Sequence, residues 1–159
     1  MNPIATDNPF SQEEINLVAM LAGMMIPAST KYKAPGADDN IIVADILRTA
    51  RQQVGLIKEG LKDFDSYAHG EHCGSFLSLD KDIRMLIVAY FQQHSPNFMA
   101  SITRIILQSY YRDERVMESL GMEVRPPFPG GYELVEGDWS LLDPVRDRGK
   151  IWRDEPGAR

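Results

Sequence analysis

Between residues 43 and 68, apolar side chains fall at Val43, Leu47, Ala50, Val54, Ile57, Leu61, Phe64 and Ala68. The steps alternate four and three without a miss, the spacing that lines one face of an α-helix as a heptad seam. A seam this long is stable only when covered, by further helices of the same chain or by a second copy. Asp38, Asp39 and Asn40 precede it. They offer N-caps and place negative charge at the positive end of the helix dipole. This second helix is predicted to end near His69-Gly70. Gly55 and Gly60 each weaken it by about 1 kcal/mol relative to alanine, which predicts a bend there.

The neighbouring segments also read as helices. Ser11 and Glu14 form a capping box before Ile15, Val18, Ala22, Met25 and Ile26, and Pro27 ends this first helix. Residues 28–38, with Pro35 and Gly36, read as a loop. A third helix is predicted over 79–94, burying Ile83, Leu86, Ile87, Tyr90 and His94. A fourth, over 97–111 after Pro96, buries Phe98, Ile102, Ile105, Ile106 and Tyr110. A short helix over 113–120 carries Val116 and Leu120, with Gly121 as its natural C′ residue. No period-two run is bounded by hairpin turns. The expected fold is all-α: a four-to-five-helix antiparallel bundle over 1–121 and an extended, Pro/aromatic-rich C-terminal tail over 122–159.

That tail holds 5 prolines and 14 charged residues among 38, yet keeps Phe128, Tyr132, Trp139, Leu141, Leu142, Val145, Ile151 and Trp152. Disordered tails are poor in aromatics because they bury nothing. A proline-punctuated segment with spaced rings is suited to lie extended on a surface, this chain's own or a partner's.

Charge and motif content narrow the function. The 17 basic against 23 acidic residues give a net charge of −6. That argues against a nucleic-acid binder and disfavours an anionic membrane surface. One cysteine excludes an internal disulfide and a cysteine-rich zinc site. The opening Met1-Asn2-Pro3-Ile4-Ala5 shows no basic region, twin arginine or cleavage site. The expectation is a cytoplasmic protein if this is the natural start, and a periplasmic one if a leader was trimmed or the complex is exported. His69, His72 and Cys73 in "HGEHC" are a candidate metal loop, but Gly70 and Gly74 and the lack of a fourth ligand favour a plain polar loop. No nucleophile elbow, P-loop, dinucleotide fingerprint or Glu-x-x-His pattern occurs. The clustered Met20, Met24 and Met25 read as core filling rather than a binding groove. No catalytic or metal residue is assigned, and no cofactor is expected in this chain. Its job is expected to be binding.

Three stretches carry a likeness. "MMIPASTKYKAPGA" at 24–37, then "SYYRDERVMESLG" at 109–121 and "RPPFPGGY" at 125–132, resemble the gluconate 2-dehydrogenase subunit 3 family. The resemblance implies a small, non-catalytic accessory subunit. Its partner would be a large FAD-dependent dehydrogenase of the glucose–methanol–choline class, acting on sugars, polyols or sugar acids. It implies structural roles for Pro27, Pro35 and Gly36, and partner contact by Pro126, Pro127, Phe128, Pro129 and Tyr132. Family members of exported complexes often carry the twin-arginine leader; the opening residues show no twin arginine, so the expected role is stabilisation of a cytoplasmic partner. The expected clamp is thus the tail, with Phe128, Tyr132, Trp139 and Trp152 as anchors and Arg146, Arg148, Lys150 and Arg153 pairing at the rim. Two rival readings stand beside it: a stand-alone metal protein using His69, His72 and Cys73, and a homo-oligomer paired through the seam.

Overall fold

The computed structural model describes residues 8–125, 130–131 and 136–151. The described residues hold helices and no strand, apart from an isolated bridge between Ser29 and Ala34. The chain divides into two compact units, Met1–Val124 and Arg125–Arg159.

In the first unit, helix α1 spans Gln12–Met25. Its capping box is complete: Ser11 Oγ accepts from Glu14 N at 3.2 Å, and Glu14 Oε2 accepts from Ser11 N at 2.7 Å. The helix stops before Pro27, with Ile26 as its C-cap. Helices α2 (Asn40–Ala50) and α3 (Val54–His72) follow, separated by a 3-10 turn at Arg51–Gln53. After a second 3-10 turn at Phe76–Ser78 come α4 (Lys81–His94), α5 (Pro96–Tyr110) and α6 (Glu114–Ser119). Helix α5 is the organising element, packed against α2, α3 and α4, while α1 covers α2 and α3. No helix among the described residues is long and apolar enough to cross a membrane.

The seam lies where its spacing puts it. Val43, Leu47, Ala50, Ile57, Leu61, Phe64 and Ala68 are all buried, and Val54 packs against them half-buried. These side chains are spent on the interior of one chain, so the seam offers no face to a second copy. The predicted single helix is instead two. The break is not at the glycines but at Arg51–Gln53, where Gln53 leaves helical geometry with φ −134° and ψ 35°. Length supplies a reason. An unbroken helix over 40–72 would run about 50 Å at 1.5 Å per residue. Its partners α1, α4 and α5 have 14, 14 and 15 residues, about 21–23 Å each. Bending lets both halves of the seam stay on one core.

Three further expectations are corrected. "HGEHC" is not a loop: His69 to His72 form the last turn of α3, and Cys73 is its left-handed cap with φ 54°. On α4 the inward row is Ile83, Ile87 and Phe91, whereas Leu86 is 66% exposed and Tyr90 and His94 also face outward. On α6, Val116 is buried but Leu120 is exposed. Gly121 does take the positive φ of a C′ residue, at 70°.

The second unit is described over 130–131 and 136–151. It is not wholly extended, as Trp139–Leu142 form a 3-10 turn that runs into a short helix, α7, at Asp143–Asp147. Asp138 starts the turn by accepting from Ser140 N at 3.0 Å and Ser140 Oγ at 2.6 Å. Pro144 sits in the first turn of α7, where its missing N–H costs nothing.

Candidate interaction surface

The 24–37 stretch is a compact joint. After Pro27 the chain turns back on itself through paired bonds, Ser29 N to Ala34 O at 3.0 Å and Ala34 N to Ser29 O at 3.1 Å. Ala37 N then donates to Ile26 O at 2.9 Å, closing the loop onto the end of α1. Tyr110 Oη donates to Pro35 O at 3.1 Å, tying the loop to α5. Burial raises the pKa of the Tyr110 phenol, so it stays a donor there. Gly36 is needed for close approach, since a Cβ on it would lie 2.2 Å from Asp38 Oδ1 and 2.9 Å from Ala28 N.

A charge cluster fastens α6 beside this joint. Arg115 reaches Asp39 at 2.8 Å and Asp113 at 2.9 Å. Each carboxylate also caps a helix: Asp39 accepts from Ile41 N, and Asp113 from Arg115 N. Hydrogen bonds from Arg115 hold both acids below the ordinary carboxylate value of 3.8. Because these folded-state values are depressed, the linked stability is present above the usual carboxylate range and is lost as pH falls through the lowered values. Arg115→Gln should therefore cost about 1 kcal/mol at neutral pH, a modest figure because the guanidinium is partly exposed. Thermal melts at stepped pH check this. The gap between wild type and variant should close as acidification takes the pH down through the lowered carboxylate values.

The "HGEHC" turn shows no converging ligands. His69 Nδ1 lies 2.9 Å from Asp65 O, and Cys73 is exposed. Among the described residues no group of three His, Cys, Asp or Glu side chains could hold a metal ion.

Two apolar surfaces remain open. On α3 and α4, Tyr67, Tyr90 and His94 stack face to face, with centroids 4.2 Å and 3.9 Å apart. Leu86 and Met85 stand exposed on the same helix, α4. Sequence reading missed this ladder by placing Tyr90 and His94 inward. Its signal was the i, i+4 spacing of two rings in a helix with a second apolar row. In the second unit, Trp139 is 65% exposed, and Leu141, Leu142, Val145 and Ile151 are exposed as well. Of the rim cations, Arg146 pairs with Asp143 at 3.2 Å and Arg148 is exposed as the C-cap of α7. Pro126, Pro127, Phe128, Pro129, Tyr132, Trp152 and Arg153 lie outside the described residues.

A family model described as gluconate 2-dehydrogenase subunit 3 matches residues 12–130. No curated protein and no solved structure matches the chain.

Proposed function

Because the chain belongs to the gluconate 2-dehydrogenase subunit 3 family, we propose that it is the non-catalytic small subunit of a heteromeric dehydrogenase. Its partner is a large FAD-dependent subunit of the glucose–methanol–choline class. The chemistry resides in that partner, and this chain binds and stabilises it. The observation that carries the reading is the family match, which covers the helical unit from α1 through α6 and reaches into the second unit. The exposed row of Trp139, Leu141, Val145 and Ile151 supports it. Large side chains left in water at that density are the usual material of an interface core.

The tail acts as a clamp, with Trp139 as its central described anchor. Co-expression of the large subunit with the chain cut after Met122 tests this. The expected result is loss of stoichiometric co-purification, read as flavin absorbance in the purified fraction. Full recovery of the flavoprotein by the shortened chain would refute the clamp. Trp139→Ala in the full chain should raise the dissociation rate about tenfold or more while leaving association nearly unchanged, as measured by surface-immobilised binding kinetics.

A further inference from the structure

Four cations of the helical unit pair with acids. Arg48 and Arg112 share Asp45, Lys58 meets Glu14, and Arg115 holds Asp39 and Asp113. Arg84 has no ion-pair partner among the described residues, and part of its side chain is withdrawn from solvent although the residue as a whole is half-buried. Its Nε is buried and has no hydrogen-bond partner, and its Nη1 donates only to the thioether sulfur of Met20. A guanidinium carries five donors in a planar fork, and a thioether is a weak acceptor. Withdrawing such a group from water without a counter-charge is unfavourable, and chains that tolerate it generally gain something by it.

Arg84 borders a cleft of about 560 Å³ between α1 and α4. Met20, Met24, Met85 and Leu77 form apolar walls, and Lys81 stands one helical turn before Arg84. Lys81 has no ion-pair partner among the described residues. The acid that faces the cleft, Asp38, is exposed and lies against Gly36 and Gly23; it makes no ion pair with either cation. The cleft thus presents two cations that form no ion pair, beside the single exposed carboxylate of Asp38 and between methionine walls, in a chain whose net charge is −6. Low local dielectric strengthens a charge-assisted, forked contact there.

We propose that this α1–α4 cleft is the socket for an acidic side chain of the large subunit, gripped by the Arg84 fork and flanked by Lys81. This rests on the small-subunit reading above and names a second contact, separate from the tail. The flexible methionine walls suit such a socket because they can close around the stem of an inserted side chain.

The test pairs two measurements on Arg84→Met and on wild type. In the isolated chain, Arg84→Met should leave the melting temperature unchanged or raise it, because an unpaired charge is replaced by an apolar side chain of similar length. Towards the purified large subunit, the same variant should weaken binding about tenfold or more, and Arg84→Lys should fall between. Wild-type affinity should drop with added salt more steeply than that of Arg84→Met. A lower melting temperature for Arg84→Met would make Arg84 a packing residue and overturn the proposal. Equal binding by wild type and Arg84→Met would also overturn it while leaving the subunit reading intact. Failure of wild type itself to bind the flavoprotein would overturn both. Inorganic phosphate provides the last arm. If micromolar phosphate raises the melting temperature of wild type but not of Arg84→Met, the cleft serves a free anion and the docking role is refuted.

Discussion

Phe64→Ala is expected to cost about 3–5 kcal/mol, the upper range for an aromatic side chain deleted from a core. Phe64 is wholly buried on α3. Its ring meets Phe76 at 4.7 Å edge-on, Phe91 at 4.6 Å and Phe98 at 6.4 Å. It thereby joins α3, the 3-10 turn, α4 and α5 at one point. The neighbours are poorly placed to collapse into the space. Phe76 is held by its N–H, which donates to Asp65 Oδ1 at 3.0 Å, and Phe98 is pressed against Gly60. A cavity would therefore persist, and its cost adds to the lost transfer energy. Against a typical total stability of about 5–15 kcal/mol, the variant would sit near the edge of unfolding. Urea titration followed by far-ultraviolet circular dichroism measures this as a lower midpoint at unchanged slope. Phe64→Leu, which keeps most of the volume, should cost less than half as much. Equal costs for the two would mean that the aromatic cluster has no special part in joining the four elements.

How far the sequence could be read follows from where each signal resides. The capping box at Ser11 and Glu14 and the stop at Pro27 are local chemistry, and they appear at the residues that carry it. The seam from Val43 to Ala68 was legible because its period points one way only. Helix α4 was not. It bears two apolar rows, Ile83, Ile87, Phe91 and Leu86, Tyr90, His94, and periodicity cannot choose between them. The choice is made by Phe64 and Tyr67 on α3, whose rings meet Phe91 and draw it inward. The break at Arg51–Gln53 was hidden for the same reason. Nothing in Arg-Gln-Gln stops a helix, and the bend answers the length of the partners. Phe76 sits between helices in an apparently polar connection, so no periodic signal marked it as a core residue. Arg84 was unremarkable as a surface-type residue on a helix; only its buried, unpartnered Nε draws notice. The tail anchors were legible as composition, but composition is silent on what covers them.

Gly60→Ala carries the second large effect, and its sign is the informative part. In an exposed helix this change stabilises, by up to about 1 kcal/mol. Here the added Cβ would fall 2.1, 2.4 and 2.5 Å from three atoms of the Phe98 ring. Phe98 is itself buried at 3% exposure near the start of α5. Its ring can yield only by leaving a rotamer well or by moving α5 away from α3. The clash should outweigh the propensity gain, for a net loss of about 2–3 kcal/mol. Gly55→Ala on the same helix is the matched control, since its Cβ would meet nothing within 4 Å. It should stabilise by about 0.5–1 kcal/mol. Opposite signs at the two glycines, read from denaturation midpoints, would show that α3 and α5 touch through Gly60. Phe98→Leu combined with Gly60→Ala should then cost less than the sum of the single changes, because the smaller side chain vacates the contested space. Strict additivity would mean that Phe98 is not what Gly60 makes room for. The close approach of α3 to α5 would then need another cause.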